Sequence, residues 1–300
     1  SLQGDEKDIV LLSLSIDKDY HHGTLRFLET PNVFNVAITR AKKKLIELHR
    51  KTTLFVQRLR GAFTDFFQAA TKETEPSDQI PAEKQKIYQE MRKTQLQFKY
   101  FSDCMQGFVC LRTDKYHSVA INGVHSLLLG CGGMLILSLA VGKAFRAGID
   151  VGIGIEIEDN EVYGPSLFKA FEIESEIAQY PRIVIGDNLI NYLKNLSDRV
   201  NQMPNQIPED IEWSRRLANA CLSMIKTDVD GYPFLDILGD THTKSGRNAL
   251  GDEYDKLLER AFDFVKNEYR RWKGLKNTKL AQRYHLLYQY FLNKLNKTVN

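Results

Sequence analysis

The chain has 300 residues, 43% hydrophobic and 26% charged, an ordinary globular composition with enough apolar content for two cores. A net charge of +3 is too small to point by itself to a nucleic-acid or membrane partner. The four cysteines (Cys104, Cys110, Cys131, Cys221) form no CxxC pair and have no histidine at zinc spacing, so they read as reduced thiols and a cytoplasmic location is expected.

In chain order, Ser1 opens the sequence inside a motif, with no charged and apolar leader pattern, and a piece of a longer reading frame is expected. Ile9–Ser15 is a nearly continuous apolar run, the pattern of a strand buried on both faces of a parallel sheet. Asn32–Lys44 reads as a helix with Val33, Val36, Ala37 and Ala41 on one side, and Leu45–Leu48 as a closing strand. Thr53–Val56 is a candidate strand, followed by a helix to about Ala70 and a polar loop with two prolines, Pro76 and Pro81. Ala82–Gln97 reads as a charged helix, and Phe98–Ser102 with Met105–Arg112 as a hairpin around Asp103.

Val124–Val141 runs 18 residues without Asp, Glu, Lys or Arg, the short limit for a membrane span. Its His125, two Ser and three Gly and the lack of flanking aromatic belts predict a buried core helix instead, and no membrane partner. A strand at Phe145–Glu158, a helix at Pro165–Gln179 and a strand at Arg182–Gly186 follow. The order fits an α+β layer with helices on one sheet face. Met203–Pro208 is a boundary loop, and the remainder reads as mainly helical. Three parts are therefore expected: residues 1–50, 51–200 and 201–300.

Gln3-Gly4-Asp5-Glu6-Lys7-Asp8 precedes the first apolar run, and Asn35-Val36-Ala37-Ile38-Thr39-Arg40-Ala41 follows about 30 residues later. Together, in this order, residues 1–48 resemble motifs V and VI of superfamily 1 helicases. The resemblance implies the end of an α/β RecA-like lobe that uses ATP with Mg²⁺ and meets nucleic acid. It gives Arg40 the role of catalytic arginine finger, a bidentate cation for transition-state charge on the γ-phosphate. Gln3, Gly4 and Glu6 would lie with Arg40 along the nucleotide. No GxxxxGK[ST] loop occurs in the sequence, so ATP hydrolysis would need a first lobe upstream.

Phe101-Ser102-Asp103, Arg146-Ala147-Gly148-Ile149-Asp150-Val151-Gly152 and the segment from Tyr163 to Ser175 carry a second likeness. Residues 53–196 resemble the catalytic domain of class III nucleotide cyclases, including those that signal phage infection. This implies a ferredoxin-like α+β domain, a nucleoside triphosphate, Mg²⁺ or Mn²⁺ held in part by Asp103, and a homodimer through this domain. Three positions depart from the family pattern. Gln57 stands where the first metal aspartate should follow Thr53–Val56, Phe168 where Asn is usual, and Glu172 where Arg is usual. The expectation is therefore a degenerate domain that binds nucleotide or a partner; the alternative is an active cyclase, with Asp65 or Asp150 as the missing ligand.

Several signals admit two readings. Asp103 is also a good hairpin-turn residue. Gly148, Gly152 and Gly154 are packing glycines or points of ligand approach. Arg182 either starts a strand or binds phosphate. Asp228-Val229-Asp230-Gly231 resembles the start of a calcium loop but has Gly239 at the twelfth position, which favours a turn. From Asp252 to Leu295 basic and aromatic residues interleave, which suits either a nucleic-acid surface or an amphipathic helical pair, the reading that the apolar spacing favours.

Overall fold

The computed structural model describes residues 6–16, scattered positions between 61 and 68, and, with short gaps, 82–198 and 208–298. The fold is mixed α/β with a mainly helical C-terminal part. The strands are β1 (Glu6–Ile16), β2 (Gln97–Phe101), β3 (Cys104–Cys110), β4 (Phe145–Ile157), β5 (Glu161–Tyr163), β6 (Ile183–Ile185), β7 (Ile225–Thr227) and β8 (Pro233–Leu235). The helices are α1 (Ala82–Met91), α2 (His117–Ala140), α3 (Pro165–Glu172), α4 (Asp187–Asp198), α5 (Glu209–Ser223), α6 (Asp240–Leu250), α7 (Asp252–Gly274) and α8 (Thr278–Thr298). All but β5 lie in sheet order β2-β3-β1-β4-β6-β8-β7, with β5 beside β4. The expected helix and closing strand at Asn32–Leu48 and the strand at Thr53–Val56 lie outside the described residues.

The apolar run near the N-terminus is a strand, as its pattern predicts, but its partners differ from the expectation. β1 is antiparallel on both sides, with Val10 opposite Val109 of β3 and Val151 of β4. No parallel neighbour lies beside it. The sheet also continues past residue 201: Phe234 of β8 pairs with Val184 of β6, so the C-terminal part contributes a hairpin as well as helices.

β4 explains how the layers form. Side chains alternate between faces along a strand. Phe145, Ala147, Ile149 and Val151 point to the main core, which they share with Val124, Leu127, Leu128 and Leu135 of α2. Gly148 and Gly152 fall on the other face, under α3. Ala170 and Leu167 of α3 form a small second cluster there with Phe108 of β3. Helices therefore cover both faces of the sheet, not one as expected, because the glycines leave room for α3 on the second.

α2 is long and apolar enough to cross a membrane, with mean hydropathy 1.7 over its best window, but 83% of that window is buried within the protein. This burial fits the core-helix reading. Its first turn contains no acid, and Asp210 of α5 caps it from outside. One carboxylate accepts from the His117 N–H at 2.8 Å, the Ser118 N–H at 2.9 Å and the Ser118 hydroxyl at 2.5 Å. A carboxylate here satisfies orphan amides and complements the positive end of the helix dipole.

α8 is tied to the sheet by Asp236, which is 1% exposed. It accepts from the Tyr290 hydroxyl at 2.7 Å and from Lys294 Nζ at 2.5 Å, while Tyr290 Oη also accepts from the Leu238 N–H at 2.8 Å. Between α2 and α6 the core holds two histidines. His242 Nε2 lies 3.3 Å from the Leu128 carbonyl oxygen, and the Nδ1 atoms of both His125 and His242 have no protein partner. Burial pushes both imidazoles down, His125 to about 4 with His242 adding to the effect.

Two outcomes are expected. A chain lacking residues 1–16 leaves β3 and β4 without the strand between them and should lose its cooperative thermal transition in circular dichroism; an unchanged melting curve would remove β1 from the sheet. Because His125 is depressed in the folded state, its contribution is complete above the unfolded value of 6.5 and is lost as pH falls toward 4. The loss is on the order of 3 kcal/mol, visible as a lower urea midpoint at pH 4.5 than at pH 7. His125→Leu should be less acid-sensitive than the parent.

Candidate functional site

Residues singled out in the sequence gather where β4, α3 and α4 meet. Arg146, on the glycine face of β4, donates from Nε to Glu174 Oε1 at 2.7 Å. Glu174 is 2% exposed and lies in a π-helical turn, Ile173–Ile177, that continues α3. That turn interrupts the single helix expected at Pro165–Gln179. Gly148 lies directly beneath it: a Cβ there would meet the Ala170 carbonyl and stand 2.8 Å from the Glu174 nitrogen. Both are backbone atoms that cannot rotate away. At Gly152 a Cβ would lie 3.2 Å from Ser166 Cβ, and the Ser166 hydroxyl donates to the Ile153 carbonyl at 3.1 Å. These glycines set how closely α3 approaches the sheet, which is the packing reading of the motif.

Asp150 follows on the same face and is fully buried. Its Oδ1 accepts from the Leu189 N–H at 2.8 Å and so caps the first turn of α4, while Oδ2 has no partner. Gly186 makes room for the carboxylate; a Cβ there would stand 2.5 Å from both oxygens. Burial raises the Asp150 pKa, opposed by the amide bonds from Leu189 and Val151 and by Lys169. The exposed Lys169 pairs with Glu172 at 3.1 Å, and Asp187 lies at the same helix start.

Arg182 is 2% exposed and is held by Asp228 and Asp230 of the β7–β8 turn. It also donates to the Ile177 carbonyl at 2.9 Å and lies 4.6 Å over the Tyr180 ring, whose hydroxyl binds Asp228. Burial, then the bond to Asp228, pushes the Tyr180 phenol well up. The phosphate-ligand reading of Arg182 and the calcium-loop reading of the Asp-Val-Asp-Gly segment fall together, because each side occupies the other. Nothing in the sequence marked Asp228 as the partner of an arginine 46 residues earlier.

Strand register separates the other candidates. Glu6 opens β1 opposite Ile155, whereas Ser15, at the other end, faces Cys104, the residue after Asp103. Nine residues of strand span about 30 Å, so Glu6 and Cys104 stand at opposite ends of β1. Asp150 faces Leu11 across β1 in the register and accepts from the Leu189 N–H near β6. Asp65 is exposed. Gln3, Gly4, Arg40, Gln57 and Asp103 itself lie outside the described residues. Among the described residues, no group of three or more His, Cys, Asp and Glu side chains is placed to hold a metal ion.

Comparison with known proteins agrees with one part of the sequence reading. Residues 1–51, about a sixth of the chain, match the family described as an AAA domain, which makes this segment similar to helicase-like domains of AAA or RecA type. No curated protein matches the chain.

Gly148→Ala should cost about 1–3 kcal/mol, because the added methyl overpacks against backbone. A drop in the denaturant midpoint with unchanged slope would show it, and an unaltered midpoint would make the approach of α3 looser than described.

Proposed function

We propose that the chain is the C-terminal part of a superfamily 1 helicase-related protein joined to a cyclase-like domain that binds nucleotide or a partner without completing cyclisation. The AAA-domain match supports the first half. The observation that carries the second is strand order. β1, a helix, the β2–β3 hairpin, α2 and β4 run in that sequence and lie as β2-β3-β1-β4 with every neighbour antiparallel. This order supports a split βαβ arrangement, the ferredoxin-like fold expected from the cyclase resemblance.

Loss of catalysis fits the side chains. Phe168, where Asn is usual, is 73% exposed, and Glu172, where Arg is usual, pairs with Lys169 rather than offering a cation. Arg146 is engaged by Glu174. The motor reading keeps its requirement for an upstream lobe to cradle ATP and Mg²⁺, with Arg40 reaching the γ-phosphate. β1 of this segment also pairs antiparallel with β3 and β4, so the two halves share a sheet in this reading.

A second reading, an active cyclase, draws on the same register. The first described strand of the sheet is β1, and the residue that follows it in sequence is Asp17. β1 ends beside the start of β3, which Asp103 precedes. Incubation of the 300-residue protein with ATP, GTP, CTP and UTP, each with Mn²⁺, separates the two readings by chromatography of products. The expected result is nucleotide binding without cyclic product. A cyclic nucleotide that disappears in both Asp17→Ala and Asp103→Ala would replace the first reading with the second.

A further inference from the structure

We infer that the tip of the α7–α8 helical hairpin is a nucleic-acid backbone-binding surface, separate from the helicase-like segment. Three observations converge there. First, the tip is exposed: the buried residues of α7 are Tyr254, Ala261 and Val265, all in its first two thirds, and residues 273–279 are all exposed. Second, charge is concentrated there. From Tyr269 to the C-terminus there is no Asp or Glu and there are eight Lys and Arg residues; without them the chain would hold 33 Lys and Arg against 38 Asp and Glu. The mild net charge of the whole conceals a cationic end on an otherwise acidic protein. Third, the cations are arrayed. Lys266, Arg270 and Lys273 follow at i, i+4 and i+7, one face of α7, and Lys276 and Lys279 continue around the turn. A stripe of this kind extends about 10 Å along the helix and can meet successive phosphates.

The aromatic residues decide what is read. Tyr269 stacks on Tyr288 at 5.7 Å and packs against His285 at 5.1 Å, and Trp272 donates to Glu268 at 2.8 Å. They are committed to the hairpin itself, so base stacking is not available to them, and the expected contact is with phosphates, without sequence preference. Lys266 over Phe262 and Lys273 over Tyr269, each at 5.8 Å, are steadied by ring faces. A lipid surface fits less well, because membrane-lying helices present an apolar face and the turn exposes only Leu275 among its large apolar side chains.

The test uses the full chain and a fluorescein-labelled 20-base-pair random-sequence DNA duplex, with binding followed by anisotropy across a salt series. The triple variant Arg270→Glu, Lys273→Glu, Lys276→Glu should bind at least about tenfold more weakly, with a salt slope shallower by roughly three units. These positions are exposed, and an unchanged circular dichroism melt would confirm intact folding. The control variant Lys194→Glu, Lys226→Glu, Lys244→Glu carries the same charge change elsewhere and should retain binding. Equal weakening in tip and control variants would overturn the inference, as would strong preference for one duplex sequence. Tip-dependent sedimentation with phosphatidylserine vesicles in the absence of DNA binding would overturn it in favour of a lipid partner.

Discussion

The architecture depends on one backbone ladder. β1 is 11 residues long and is bonded along both edges, to β3 through Ile9–Ser15 and to β4 through Glu6–Ile16. Every backbone N–H and C=O that the sheet buries needs a partner, and β3 and β4 have no other strand between them. All that is attached to either neighbour follows from this: the β2–β3 hairpin on one side, and β4, β6 and the β7–β8 hairpin on the other. α2 and α3 then cover opposite faces because β4 alternates large apolar residues with glycine.

The polar side chains that looked most chemical are largely engaged in holding this arrangement. Arg146 with Glu174, Arg182 with Asp228 and Asp230, and Asp236 with Tyr290 and Lys294 each join elements far apart in sequence. Removing one partner from a buried pair costs several kcal/mol, because the other charge remains without water. That cost alone gives such residues a reason to be where they are, independent of any reaction. Asp150 differs in degree: one oxygen caps α4 and the other has no partner, so its raised pKa follows from geometry without a substrate.

Much of the local structure was legible in the sequence. The hairpin at Gln97–Cys110 and the strand at Phe145–Ile157 follow from apolar periodicity with bounds within two residues of the expectation, and the buried helix expected at Val124–Val141 starts seven residues earlier, at His117. What the sequence hid is pairing. An apolar run such as Ile9–Ser15 suits a strand covered on both faces whether its neighbours are parallel or antiparallel, so the pattern could not reveal that β1 joins strands from residues 104–157. The same holds for the site. Gly148 was visible as a glycine that mattered, but whether a ligand or a helix approaches it depends on where α3 packs. Arg182 was visible as a strand-start cation, but its carboxylates, Asp228 and Asp230, lie in a hairpin that local spacing does not reach. The interleaved basic and aromatic residues from Asp252 to Leu295 were readable in the sequence, while the exposure of residues 273–279 required the fold.

The position of β1 has a temporal consequence. Val10 leaves the ribosome long before Val109 and Val151, the residues it must pair with. At ordinary synthesis rates the wait is on the order of ten seconds, and through it an apolar strand remains with both edges open. Contacts this distant along the chain also slow folding, since loop closure must precede any gain from pairing. The nascent protein therefore passes through a long interval as an unpaired adhesive ribbon, and its yield in a cell depends on whatever shields that ribbon until β4 arrives.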